Sequence, residues 1–299
     1  MINLLKYNYN IDIEKYQTVK NGISFYINYE KFYLYEFNRV PRDIELIYNE
    51  INGKNTRYHQ IIKNRFGELL TDDNNKKYIL IKVNGPENNE VDIYDILNST
   101  GSTYRENNDL NRMEWGKLWS EKVDYLEYQV SELGLGHPII IKSFSYYVGL
   151  AENAIEYFNY LKTDDVQLVL SHKRLTYPCS TLEFNNPLSL VIDYRVRDIS
   201  EYIKSKFFCG DNVVTDIKKI ISKNIFSEIE YNLLFDRLLF PSYYFDELSA
   251  ILEGTQNDDD LIKYTSKIHK YEIFLKKVYE LFSKQTNLLK VDWIIKKQE

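Results

Sequence analysis

The stretch "VQLVL" (166–170) ends at Ser171 and is followed at once by His172, Lys173 and Arg174, with Cys179 five positions beyond Arg174 and Asp193 nineteen beyond it. A histidine, an acid two places on, an amide five places after the acid, and a second acid beyond the next strand together serve phosphoryl transfer. In that chemistry the first carboxylate takes the acceptor hydroxyl's proton. The amide and the second carboxylate hold Mg²⁺ against the phosphates. In this chain the spacing is kept and two groups are changed. Arg174 stands where the base belongs, and a guanidinium stays protonated at neutral pH. Cys179 stands where the amide belongs, and magnesium prefers hard oxygen ligands in near-octahedral geometry. Asp193 alone keeps its carboxylate. Each residue also has a plainer reading: His172 as a strand-end histidine bonded to backbone, and Arg174 as half of an ion pair with Asp193 or Asp198.

The elements that must position these groups fall into two unlike parts. The first ~85 residues read as strand-rich with one helix. "GISFYINYEKFYLYEF" (22–37) holds two alternating aromatic runs, 24–28 and 31–37, around a turn at Tyr29-Glu30, which is a hairpin pattern. "VPRDIELIYNEIN" (40–52) places Pro41 at a helix start and spaces Ile44, Ile47, Tyr48 and Ile51 along one face. "YHQIIKN" and "KYILIKVNG" read as two more strands. Residues 86–111 are polar and turn-rich and read as a hinge and linker. From 112 to 299 the period is helical, interrupted by the 166–170 run and by a second short buried strand at 187–194, "PLSLVIDY". The helix expected at 139–161 is broken at Gly149, and three or four more helices follow residue 215.

Composition narrows the classes. Hydrophobic residues at 44% and charged residues at 27% are globular values. Eleven glycines are about half the usual share, which argues against a phosphate-cradling loop. A net charge of −6 speaks against a sequence-independent nucleic-acid binder. No run of ~20 apolar residues exists for a membrane span and the opening residues lack a secretory h-region, so the expectation is a chain kept inside the cell. Two cysteines, Cys179 and Cys209, cannot form a disulfide framework, and no Cys-His cluster has zinc spacing.

A small β-rich amino-terminal lobe, a linker and a larger helical carboxyl-terminal lobe with two short strands make up an α+β, bilobal protein-kinase-like fold. Its phosphate-binding parts are missing from the first lobe. Only Gly22 falls near the expected glycine-rich loop. Tyr35 and Glu36 lie near the phosphate-binding lysine's place, and a glutamate there would repel phosphates. Glu45 or Glu50 would be the helix glutamate that pairs with such a lysine.

At "SFSYYVGLAENAIEYF" (143–158) the chain resembles the kinase-like spore coat proteins of endospore-forming bacteria, the CotS-related group and within it the YutH-like members. "LSHKRLTY" (170–177) and "NPLSLVIDYRVRDISEYIKSKFF" (186–208) extend the match, which is good over 115–208 and looser over 58–85. The resemblance implies an aminoglycoside-phosphotransferase-like fold, synthesis in the mother-cell cytoplasm during sporulation, deposition in the spore coat, and other coat proteins as partners. Arg197 and Asp198 match the family's "RD", where the aspartate is expected to bond backbone near the loop. Members that look competent keep H-G-D and a downstream Asn. The departures at Lys173, Arg174 and Cys179 lead to the expectation of a catalytically degenerate pseudokinase with a structural or recruiting role. No cofactor or metal is then expected, Asp193 being the one retained metal candidate. The alternatives are a small-molecule phosphotransferase or a nucleotide-binding switch using ATP and magnesium. The 27 tyrosines would suit oxidative cross-linking in a coat, and AT-rich coding accounts for them equally well.

Overall fold

A computed structural model describes residues 1–52, 57–99 and 109–296. In chain order the elements are α1 (Ile2–Tyr9), β1 (Gln17–Val19), β2 (Gly22–Ile27), β3 (Glu30–Glu36), α2 (Pro41–Ile51), β4 (Gln60–Ile62), β5 (Thr71–Asp73) and β6 (Lys76–Lys82). There follow α3 (Ile93–Asn98), α4 (Trp115–Leu133), α5 (Pro138–Asn159), β7 (Leu168–His172), α6 (Thr181–Phe184), β8 (Leu190–Tyr194) and α7 (Val196–Cys209). The chain closes with α8 (Val214–Lys223), α9 (Glu228–Leu239), α10 (Ser242–Leu252), α11 (Ile262–Thr265), α12 (Ile268–Phe282) and α13 (Asp292–Ile295). These elements divide into two compact units.

Among the described residues, the first unit comprises 1–91, 109–110 and Cys179–Leu190. Its antiparallel sheet runs β1-β2-β3-β6-β4, with β5 paired to β6. The hairpin register sets Ile23 opposite Leu34 and Phe25 opposite Phe32. Because side chains alternate, one face of the sheet carries Ile23, Phe25, Phe32, Leu34, Tyr78 and Leu80, which form a core cluster with Leu4 and Leu5 of α1. Tyr33, Ile79 and Ile81, of the other parity, are buried as well. That explains the unbroken apolar run of β6, since a strand covered on both faces loses its alternation. In α2, Ile44, Ile47 and Ile51 are buried, as their spacing requires.

Gly22 has a packing role: a Cβ there would lie 2.0 Å from the Leu34 carbonyl oxygen, so only glycine lets β2 and β3 approach at this register. The hairpin turn is one residue earlier than expected. Asn28 and Tyr29 take the left-handed conformation, at φ 48° and 67°, as a two-residue turn requires. The unit also holds two eight-or-more-residue helices where the sequence pattern predicts one, because the short and polar-interrupted α1 carries only Leu4 and Leu5 inward.

Residues 179–190 join this unit through backbone and side-chain bonds. The Val91 N–H donates to the Cys179 carbonyl at 2.9 Å, and the Thr181 N–H to the Asn89 carbonyl at 2.9 Å. Arg39, paired with Asp43, donates to the Leu188 carbonyl at 2.7 Å.

The second unit is helical. Its central element is α9, buried along Glu230–Leu239 and packed on α5, α7 and α12. This helix is enclosed all round although it carries Glu230, Asn232, Asp236 and Arg237, and it supplies Leu233, Leu234, Phe235, Leu238 and Leu239 to the interior. The α4 and α5 helices pack together, and α5 runs unbroken through Gly149, where the sequence suggests a break. Strands β7 and β8 form a separate two-stranded sheet. The expected strand at 166–170 lies two residues later, so His172 ends the strand instead of opening the loop. The strand expected at 187–194 begins with a 3₁₀ turn, Pro187–Ser189, before β8. Within the 86–111 stretch read as linker, α3 is held by an Asp92–Asp95 capping box, and residues 100–108 lie outside the described residues.

Candidate functional site

His172 and Asp193, singled out by spacing, and Arg197 and Asp198, singled out by the resemblance, meet in one buried network of the second unit. His172 is 1% exposed. Its backbone N–H donates to Asp198 Oδ1 at 2.8 Å, and its ring Nδ1 bonds Asp198 Oδ2 at 2.7 Å. Asp198 sits in the first turn of α7, where a carboxylate is also favoured by the helix N-terminus. One residue earlier, Arg197 donates from Nε to the His172 carbonyl at 2.8 Å and from Nη2 to the Lys173 carbonyl at 2.7 Å. The pair of residues at the start of α7 therefore grips the loop from both its N–H and its C=O sides.

Asp193, at 0% exposure, is the penultimate residue of β8. Its Oδ1 accepts from Trp115 Nε1 at 2.9 Å and from the Tyr194 N–H at 2.7 Å. Its Oδ2 pairs with Arg197 Nη1 and lies 3.1 Å from Trp115 Nε1. Charge and hydrogen bonding are thus met entirely by protein groups, as a buried carboxylate demands.

Arg174 pairs with neither Asp193 nor Asp198, contrary to the simple ion-pair reading. Its Nε and Nη2 both bond Asp246 of α10, the latter at 3.0 Å, and Nη1 donates to the Lys173 carbonyl at 2.9 Å. The pair is open to solvent, with 42% and 43% side-chain exposure. Desolvation works against the charge on Arg174, but Glu201 and Asp246 outweigh it and hold the guanidinium above its ordinary value. Arg174 and Asp246 line two cavities of this unit, of about 500 and 260 Å³.

A second buried charge cluster escaped the sequence reading. Glu201 accepts from Lys204 at 3.0 Å, from Arg237 Nε at 2.9 Å and from Ser242 at 3.0 Å. Lys204 also donates to the Arg237 and Phe240 carbonyls and to Ser242. Burial alone would raise the Glu201 carboxyl, but Lys204, Arg237, Arg174 and Arg197 hold it well below the usual carboxylate range. Burial lowers both cations in turn, with Glu201 opposing.

Cys179 belongs to the first unit, buried, with Sγ 3.5 Å from the Ser180 carbonyl. In the same unit Glu36 pairs with Lys76 at 2.8 Å, Glu45 is exposed and Glu50 half-buried. Among the described residues, no group of three or more His, Cys, Asp or Glu is placed to hold a metal ion, and no helix is long and apolar enough to cross a membrane.

The signal for the Asp193–Arg197 pair was available in the sequence as an i, i+4 spacing, and that for Glu201–Lys204 as i, i+3. Asp246 gave none, since 72 residues separate it from Arg174.

Comparison with known proteins settles the lineage. Residues 2–278 match the family described as "Spore coat putative kinase YutH". The chain belongs to this family. It is similar to the endospore coat-associated protein YutH of Bacillus subtilis, with 26% identity covering 76% of this chain and 77% of that one. In structure it is similar to an aminoglycoside phosphotransferase from Alicyclobacillus acidocaldarius, with a TM-score of 0.64 at 11% identity over 91% of this chain and 93% of that one. Spectinomycin phosphotransferase APH(9)-Ia in its AMP-bound complex gives 0.59 at 13% identity over 95% of each chain. The fold of this YutH-family chain is accordingly the aminoglycoside-phosphotransferase-like kinase fold, with a small antiparallel sheet unit and a mostly helical remainder.

Proposed function

We propose that this YutH-family chain is a pseudokinase of the bacterial spore coat, a kinase fold without phosphoryl-transfer activity that holds or recruits other coat proteins after synthesis in the mother-cell cytoplasm. The observation that carries the reading is Arg174, a permanent cation in the base's place whose Nε and Nη2 are committed to Asp246. The surroundings of Asp193 support it. Magnesium there would have to displace a buried guanidinium and an indole N–H from the carboxylate, and with a thiol at Cys179 no second hard ligand is supplied. The residues present therefore do not fit a nucleotide-bound magnesium.

Incubation of the full chain with labelled ATP, magnesium and candidate acceptors tests this reading. No label is expected to transfer. Turnover that Asp193→Ala abolishes would overturn the proposal. Nucleotide binding is checked by thermal shift, since a ligand at 100 times its Kd adds about 2.7 kcal/mol. A flat response is expected, and stabilisation without turnover would instead favour a nucleotide-sensing switch.

One observation favours a second reading, a small-molecule phosphotransferase with a displaced base. Asp246 is a half-exposed carboxylate beside Arg174 and faces both cavities. In that case transfer would occur and Asp246→Asn would eliminate it.

A further inference from the structure

Among the described residues, the smaller cavity of the helical unit, about 260 Å³, is lined by the cations Arg112, Lys122, Arg174, Arg197 and Arg237 and by one carboxylate, Asp246. Two further carboxylates, Asp193 and Glu201, pair with these cations. Leaving Arg112 aside, four cations meet three carboxylates among the described residues, so positive charge predominates around this small space.

Arg237 is the decisive group. It is 2% exposed, and its Nε donates to Glu201 at 2.9 Å. Its two terminal nitrogens have no hydrogen-bond partner among the described residues. The guanidinium carbon lies 4.7 Å from the centre of the Trp115 ring and 5.6 Å from that of Trp119, and both rings line the same cavity. Stacking fixes the plane of the fork without using its N–H groups. These nitrogens are not sealed among the buried unpartnered atoms of the protein, so they open onto the cavity, where a charged acceptor bonds a guanidinium more strongly than a neutral one does. Arg197 and Arg174 stand near enough to depress its proton affinity further after the burial itself, so the like charges here repel one another. An anion in the cavity would relieve that repulsion and bond the Arg237 fork.

The apolar wall says more about the ligand. Trp119 and Phe240 stack with centroids 4.2 Å apart, and Phe245 packs against Phe240 at 5.6 Å. All three rings line the cavity. The space exceeds a bare oxyanion, and its remainder is aromatic. A planar carboxylate presents two oxygens in one plane, whereas these cations come from the segment before α4, from α4 itself, from the loop after β7, and from α7 and α9. Convergence from several directions suits a tetrahedral group with three terminal oxygens.

We propose that this cavity is a binding site for a small organic phosphate monoester, its phosphate held by the Arg237 fork among the other cations and its apolar body against Trp119, Phe240 and Phe245. The site requires neither nucleotide nor magnesium and is independent of whether the chain is catalytic. Two of the protein's three tryptophans line it, so intrinsic fluorescence reports occupancy.

The test is a titration of the full chain with phenyl phosphate, without nucleotide or magnesium and at constant ionic strength, followed by tryptophan fluorescence and calorimetry. Inorganic phosphate and benzyl alcohol run in parallel. Saturable binding of phenyl phosphate is expected, with inorganic phosphate weaker and benzyl alcohol inert. Arg237→Lys keeps the charge and removes the fork, and is expected to weaken binding at least about tenfold, the worth of one charge-assisted hydrogen bond. Arg112→Gln, at a half-buried position, serves where Arg237→Lys fails to fold, and is also expected to weaken binding. The proposal is overturned if the wild-type titration does not saturate, if benzyl alcohol binds as well as phenyl phosphate, or if every variant that folds keeps wild-type affinity.

Discussion

His172 and Arg174 stand two residues apart on one chain segment and are treated oppositely by the structure. His172 is enclosed, with backbone and ring both tied to Asp198 and its carbonyl tied to Arg197. Arg174 is turned outward into a solvent-open pair with Asp246. The first set of bonds shapes the loop, and any kinase-fold protein needs that whether or not it reacts. The second position carries, under the proposed function, a cation in the place of a base. The difference teaches that the architectural half and the chemical half of such a motif are separable. A chain can keep the first under packing constraint while the second is free to become a surface ion pair.

The contrast can be broken or sharpened by substitution. The largest effect is expected at Glu201, which joins the buried network to α9. Glu201→Ala leaves Lys204 and Arg237 buried without their carboxylate, and should cost about 3–5 kcal/mol in a denaturant unfolding measurement. The same residue sets an acid limit. Its carboxyl is held well below its ordinary value of 4.5, so the stability it contributes is fully present above that value and is lost as pH falls through the folded-state value. Wild-type protein should therefore lose stability on acidification below pH 4.5, and Glu201→Gln should lack that component.

Asp198→Ala comes next. It strands the His172 N–H and ring nitrogen in the interior, at an expected cost of about 2–4 kcal/mol. A cost below 1 kcal/mol would show that the enclosed half is not held as described. Trp115→Phe removes one donor from the buried Asp193 carboxylate while keeping an aromatic ring, and about 1–3 kcal/mol is expected.

Arg174→Ala should be the mildest. Its partner and itself are more than one-third exposed, so no more than about 0.2–1 kcal/mol is expected, falling with added salt. A double-mutant cycle of Arg174→Ala with Asp246→Ala isolates that coupling. A coupling above 2 kcal/mol would erase the distinction between the two ends of the loop.

Much of the fold could be read in advance because its signals are local. The hairpin at 22–37 alternates, α2 begins at Pro41 and spaces its isoleucines, and the apolar run before His172 ends where polar residues begin. The misreadings were also local. At α1 only two leucines point inward, and at Gly149 a helix interior tolerates a residue that the pattern took for a stop. Part of the candidate site was legible by spacing. His172, Arg174 and Asp193 were found from their intervals, and the Arg197–Asp198 pair from resemblance, while the partner of Arg174 was assigned to the wrong aspartate. The choice among three aspartates depends on where α10 packs, and no interval along the chain encodes that.

The sequence by itself determined the family, the strand-rich first part and helical second part, and the presence of an arginine at position 174, because each is a property of residue type and short-range spacing. The tertiary structure alone decided that Asp193 is consumed by Arg197 and Trp115, that Asp246 meets Arg174, and that five cations ring one small cavity. Those facts depend on side chains from distant segments sharing one interior, where charge must be matched at contact distance and the chain's own order gives no measure of proximity.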